Sequence, residues 1–305
     1  MTSDGTAIGT SDRFTASRRR QLLADGALVG VTFVWGTSFV LVKDVIEQVT
    51  PMVWLTMRFT LGALALALIA LFMGRLRGLT WREVRWGALI GCFLWAGYAL
   101  QTLGLQLTSA SNGGFITGLS VVMVPIFSLL ILKQKTNRWA MVGVGLATVG
   151  LVLFSLRIEQ GVHINRGDVL VFTCAIAFAL QIVTVSHVAG WADPIRITLL
   201  QVLFAGVLNG ACALLFEGPV ANISPEIWAS AAYLGVVSTS LAILVQVSVQ
   251  RFTTAVHTAL IFALEPVFAT AFGVWLQGDT FGPAELAGAM LILGGMLVAE
   301  LGSES

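Results

Sequence analysis

Long apolar runs alternate with short polar breaks along almost the whole chain. Ten runs can be marked, near 26–45, 51–73, 86–105, 110–132, 139–156, 167–187, 194–216, 227–247, 253–276 and 283–302. Each reaches roughly the 18 residues that a helix needs to cross a bilayer. Lipid cannot hydrogen-bond to free backbone groups, so the runs are predicted to be helices. Strands of a membrane barrel alternate polar and apolar residues, and these runs do not. The pattern predicts an all-α integral membrane protein with ten transmembrane helices.

The pattern also occurs twice. Pro51 opens one run and Pro194 opens another 143 residues later. Thr108-Ser109-Ala110 returns 145 residues on as Thr253-Thr254-Ala255, and Gln101 returns at the same step as Gln246. Gly143 and Gly150 return as Gly288 and Gly295, again 145 on. Pro125 returns as Pro266 at a step of 141, which reads as a few extra residues near Asn112 in the first copy. The expected organisation is a polar, disordered cytoplasmic tail over 1–22, a five-helix repeat over 23–158 and a second over 164–302. Five crossings is an odd number, so the second copy is expected to enter the membrane from the opposite side. Inverted repeats of this kind mark secondary transporters, with a substrate site between the halves near the midplane.

Composition agrees with the class. Hydrophobic residues make up 57% of the chain and charged residues 11%, against about 25% charge in a soluble domain. So little chain lies between the runs that no soluble catalytic domain fits, and an enzyme is not expected. With the N-terminus in the cytoplasm, 13 Lys and Arg fall on the cytoplasmic side and three on the other. That bias places both termini inside. Seven of nine Trp (Trp54, Trp81, Trp86, Trp139, Trp191, Trp228 and Trp275) fall at or near run ends, as in an aromatic belt. Cys92, Cys174 and Cys212 all lie within runs and read as small apolar residues. Ser17-Arg18-Arg19-Arg20 reads as a basic anchor for the first helix. No Gly-rich phosphate loop is present, and no His, Asp and Glu group shows metal-ligand spacing, so no metal and no cofactor are expected. The basic loops read as topology signals, with no nucleic acid as partner.

These residues resemble the drug/metabolite transporter superfamily, in its EamA-like branch. The resemblance rests on Trp35-Gly36-Thr37-Ser38, on Pro51 followed by Arg58, on Thr108-Ser109-Ala110-Ser111, on Gly114 to Leu119 with Pro125, and on Leu264-Glu265-Pro266. Gly278-Asp279-Thr280 stands where the family usually has Gly-Glu-Arg, and the first copy has Lys133-Gln134-Lys135 there. The second copy has Phe178-Ala179 in place of Trp-Gly and Gln201 in place of Arg58. The resemblance implies a carrier working by alternating access. Its cavity would be lined mainly by helices 1, 3, 4, 6, 8 and 9, with 5 and 10 at the periphery. Many such proteins export metabolites, amino acids among them, and some couple to protons.

Several residues are candidates for the chemistry. Glu265 lies halfway along the ninth run, where a carboxylate must face the interior, pair or hold a proton. It suits proton coupling or recognition of a cationic group, and equally a structural bond to backbone freed by Pro266. Arg58 suits a substrate carboxylate or anchorage of helix 2. Gln101 and Gln246 share one slot in the two copies, for a pseudo-symmetric site or for interhelical hydrogen bonds. Ser38, Asn112 and Gln181 join them as polar candidates. Trp35, Trp95, Tyr98 and Phe115 form an aromatic set that either walls a cavity or packs. Pro125 and Pro266 are hinge candidates. The expected partners are a small-molecule substrate, the lipid bilayer of a cell inner membrane and protons, in a monomer or weak homodimer. A lipid-handling flippase or accessory subunit of the same fold is the alternative.

Overall fold

The computed structural model describes residues 10–108, 110–155, 165–218, 223–277 and 282–302. Among the described residues every regular element is helical: α1 (Thr10–Ile46), α2 (Pro51–Phe72), α3 (Trp81–Leu105), α4 (Ala110–Gly118), α5 (Ser120–Phe127), α6 (Arg138–Ser155), α7 (Arg166–Val188), α8 (Pro194–Cys212), α9 (Pro225–Tyr233), α10 (Ala242–Val249), α11 (Ala255–Phe262), α12 (Glu265–Gln277) and α13 (Pro283–Leu301). Eight helical segments among them are long and apolar enough to cross a membrane. The other two expected crossings fall on α1 and on α6, whose apolar part is Arg138–Leu153. The tail expected over 1–22 differs, since α1 begins at Thr10. Residues 10–25 contain no Gly or Pro, and nothing there stops the helix. Residues 1–9 and Gly278-Asp279-Thr280 lie outside the described residues.

Helix starts follow local chemistry. Thr80 and Glu83 form a capping box on α3, and Asn165 and Asp168 form one on α7. Asp193 caps α8. The first turn of α2 is capped from another helix. Glu217, just beyond α8, accepts from the Met52 and Val53 backbone amides at 3.0 Å. A carboxylate there also complements the positive end of the helix dipole.

The two copies interleave. Helix α1 packs on α11 and α12, while its counterpart α7 packs on α4 and α5. The segment after α9 widens into a π-helix, Leu234–Leu241, and lies on α2. There Gly62 and Gly235 allow backbone to approach backbone, since a Cβ on Gly62 would sit 2.7 Å from the Gly235 carbonyl oxygen. Helices α6 and α13 touch through glycines in a crosswise pattern. A Cβ on Gly143 would meet the Gly295 oxygen at 2.5 Å, and one on Gly150 would meet the Gly288 oxygen at 2.6 Å. Each glycine thus faces the equivalent of the other, and the two helices run antiparallel. Helix α3 runs parallel to α8, with Gly87 against Leu200 and Gly91 against Phe204. It runs antiparallel to α7, with Gly97 against Phe178 and Gly104 against Val171.

Candidate functional site

Polar side chains from both copies meet in one internal cavity. It is lined by Trp35, Ser38 and Val42 of α1, Arg58 of α2, Leu94, Tyr98, Gln101, Thr102 and Leu105 of α3, Thr117 and Gly118 of α4, and Ser120 of α5. From the second copy come Phe178, Gln181 and Ile182 of α7, Ile243 and Gln246 of α10, Phe262 of α11 and Glu265 of α12. No residue of α6 or α13 takes part. Eight sequence candidates thus meet: Trp35, Ser38, Arg58, Tyr98, Gln101, Gln181, Gln246 and Glu265. Trp95 does not line the cavity; it packs into the core beside α2 and α3. Phe115 packs against the α5, α7 and α11 core instead. The side chain of Asn112 lies outside the described residues.

Twelve of the nineteen lining residues form six pairs. At the repeat step of 143 or 145, Trp35 matches Phe178, Ser38 matches Gln181, Tyr98 matches Ile243, Gln101 matches Gln246, Thr117 matches Phe262 and Ser120 matches Glu265. Both members of every pair face the cavity. The charged members break the pattern. Glu265 stands opposite a serine, and the counterpart of Arg58 is Gln201, which does not line the cavity.

The helix breaks place Glu265. Helix α4 ends at Gly118 and α5 begins at Ser120; helix α11 ends at Phe262 and α12 begins at Glu265. The starts of α5 and α12 are 145 residues apart, so the copies stay in register here and no extra residues fall near Asn112. The difference lies beyond the break. Pro266 is the second residue of α12, where its missing N–H is harmless, whereas Pro125 is the sixth residue of α5. The breaks face one another, with a Cβ on Gly118 3.7 Å from Pro266 Cγ. Glu265 therefore sits at the positive end of a 13-residue helix.

Arg58 is held by a grip that the sequence reading missed. Its Nε donates to Thr239 Oγ1 at 2.8 Å and its Nη2 to Ser238 Oγ at 3.4 Å. Its guanidinium lies 4.8 Å from the Tyr98 ring centroid. Ser38 Oγ pairs with Ser238 Oγ at 2.6 Å, and Trp35 Nε1 donates to the Ser238 carbonyl at 2.7 Å. The π-helical stretch supplies this carbonyl, and such stretches recur at functional sites. The available signal was Ser238-Thr239-Ser240, three hydroxyl residues inside an apolar run.

The glutamines form a buried ladder. Gln181 Nε2 donates to Gln201 Oε1 at 3.1 Å, and Gln246 Nε2 to Gln181 Oε1 at 3.2 Å and to Gln250 Oε1 at 3.3 Å. Gln250 Nε2 ends the ladder on Ser186 Oγ and the Ile182 carbonyl, both at 2.7 Å. Gln101 instead donates to Thr117 at 3.1 Å. Aromatic rings form the walls. Trp35 and Phe262 meet edge to face at 4.8 Å, and Tyr98 contacts Phe59 and Phe178 at 5.2 and 5.4 Å. The cavity volume is about 70 Å³, room for a few waters at roughly 10–15 Å³ each. Pockets for drug-sized ligands hold about 300–1,000 Å³, so a solute of that size needs these walls to part.

The profile of the EamA-like transporter family matches residues 22–156 and again residues 165–300. The chain is 30% identical over 282 residues to an uncharacterized transporter of Archaeoglobus fulgidus, covering 92% of this chain and 87% of that one. It is 26% identical over 286 residues to the uncharacterized transporter YyaM of Bacillus subtilis, covering 89% and 92%. It is 25% identical over 304 residues to the uncharacterized inner membrane transporter YedA of Escherichia coli K12, covering 93% of each. A protein crystal structure at 20% identity superposes with a TM-score of 0.77 over 91% of this chain and 96% of its own, a likeness of fold.

Proposed function

This chain belongs to the EamA-like transporter family, and from that premise we propose that it is a secondary active carrier that moves a small metabolite by alternating access around the central cavity. Its ten crossings form two inverted five-helix repeats with both termini in the cytoplasm of a cell whose inner membrane it spans. The antiparallel, crosswise meeting of α6 and α13 supports the inversion. So do the directions in which α3 meets α7 and α8. Pro125 and Pro266, near facing helix breaks, serve as hinges.

One observation carries the reading. Twelve of the nineteen lining residues are equivalent positions of the two copies, yet the lining includes one guanidinium and one carboxylate that have no charged equivalents. Paired walls suit a site that opens to either side in turn. The unpaired charges suit a solute carrying a charged or polar group at each end, and the rings suit an apolar body between them. An amino acid or a small amphipathic solute fits that description, moved outward. A polyanion does not, because Arg58 is the one basic residue in the lining among the described residues. Glu265 is the coupling residue, exchanging a proton for the solute.

The test is counterflow into proteoliposomes of the purified protein, preloaded with amino acids or amphipathic amines. Exchange of a solute, with a gain under an imposed pH gradient that Glu265→Gln removes, is the expected result. Exchange in Glu265→Gln with the same pH response sinks the coupling role. Folded protein that exchanges none of the pool and instead moves labelled lipid points to a lipid-handling flippase.

A further inference from the structure

At the end of α11 remote from the cavity, three titratable side chains from three helices converge. His257 Nε2 lies 3.3 Å from Asp25 Oδ1 of α1 and 3.2 Å from Glu300 Oε2 of α13. One ligand-type atom from each of the three lies within 4.8 Å of the others. The side chains are mostly enclosed, with 10% of His257, 16% of Asp25 and 22% of Glu300 exposed. Asp25 Oδ1 is sealed from solvent and accepts no hydrogen bond. Gln21, one turn before Asp25, donates Nε2 to both Glu300 oxygens at 3.3 and 3.4 Å. Thr254 Oγ1 accepts from the His257 backbone amide at 3.1 Å and fixes the turn that presents the ring.

A hydrogen-bond account leaves this arrangement incomplete. Nε2 carries at most one proton, yet two carboxylate oxygens crowd it and one of them has no donor. A buried carboxylate oxygen without a donor, as Asp25 Oδ1 is, is costly. A divalent cation held between the three side chains gives that oxygen a partner. Metal–ligand bonds of about 2.0–2.2 Å put neighbouring ligand atoms roughly 3.0–3.5 Å apart; two of the three observed separations, those from Nε2, are 3.2 and 3.3 Å, and the three atoms all lie within 4.8 Å.

We propose that Asp25, His257 and Glu300 form a binding site for a divalent transition-metal ion of the zinc or manganese class. One imidazole nitrogen with two carboxylates is a donor set for such ions, whereas magnesium or calcium calls for oxygens alone. Gln21 orients Glu300 from outside the ligand set, as supporting hydrogen bonds do around metal sites. The site ties α1 of the first repeat to α11 and α13 of the second. Linear spacing hides it, because its members stand at positions 25, 257 and 300, which is why the sequence pointed to no metal.

The experiment uses tag-free full-length protein in detergent, stripped with a chelator and titrated separately with zinc and manganese chloride. Calorimetry and thermal unfolding are the readouts. Expected are one ion bound per chain and a rise in unfolding temperature with saturation. Asp25→Asn and Glu300→Gln keep the shape and hydrogen-bonding capacity of the cluster, so both are expected to fold. Each should weaken binding at least roughly tenfold. No binding up to about 1 mM ion, or undiminished binding in the Asp25→Asn/Glu300→Gln double variant, overturns the proposal. Stability that follows pH and ignores metal also overturns it, assigning the cluster to an ion pair with a protonated ring. No solute is needed, so failure here leaves the transport reading untouched.

Discussion

Arg58 is almost fully buried, at 2% exposure, and a cation in that position needs partners to offset its lost hydration. Thr239, Ser238 and the Tyr98 ring supply them. Arg58→Lys keeps the charge but loses the planar fork that reaches a hydroxyl and a ring face together. It should destabilise the protein by about 1–3 kcal/mol, read as a lower unfolding temperature in detergent, and reduce exchange in proteoliposomes. Unchanged stability and exchange would show that the grip on Arg58 matters to neither. At this scale the sequence was partly readable. Gln101 and Gln246 stood out because they repeat, and Glu265 because a carboxylate is rare in an apolar run. Ser238 and Thr239 did not, because hydroxyls inside helices usually satisfy themselves on a nearby carbonyl. Thr32 and Thr102 do this, bonding to the Leu28 and Tyr98 carbonyls. Only the fold separates a hydroxyl that serves its own helix from one that serves another.

At the scale of helices, glycine is the informative residue, but only where a neighbour arrives. Gly143 and Gly145 are two residues apart on α6 and read alike in sequence. A Cβ at 143 would press on the Gly295 backbone, which cannot move aside as a side chain would, whereas one at 145 meets nothing within 4 Å. Gly143→Val should therefore cost about 1–3 kcal/mol and Gly145→Val almost nothing. Thermal unfolding of the two variants side by side checks this, and equal effects would refute the packing. The same reasoning explains Trp35-Gly36. A Cβ on Gly36 would lie 2.7 Å from Phe268 Cβ and 3.0 Å from the Ala269 amide nitrogen, so Gly36 lets α1 lie against α12 just past Pro266. The motif could be read from the sequence, but the helix it accommodates could not. Pairing Pro125 with Pro266 by residue type also misled the alignment, because the breaks themselves keep a step of 145 and the two prolines sit at different depths beyond them.

Across the whole molecule, the repeats do not form two separate bundles. Each one buries much of its surface against the other, as α1 on α12, α7 on α4 and α5, and α6 on α13 all cross between copies. Residues 1–160 expressed alone should fail to give a stable, monodisperse protein, while co-expression with residues 161–305 should restore one. Size-exclusion chromatography of each preparation decides, and a well-behaved isolated half would contradict the interleaving. Sequence periodicity revealed the duplication and the positions of the helices, because both are written locally. Which helix faces which depends on contacts more than a hundred residues apart. That is also why the pairing of cavity positions became clear only when both copies were seen lining one space.

The mismatch of Ser120 with Glu265 has a further consequence. Two identical five-helix chains joined about a two-fold axis would present every side chain twice. Such an assembly would set two carboxylates across a narrow space, and each would hinder ionisation of the other. Joining the copies end to end lifts that constraint. A lone acid and a lone base then give the chamber a head and a tail, and a carrier of the kind proposed would take its guest molecule in with a fixed heading.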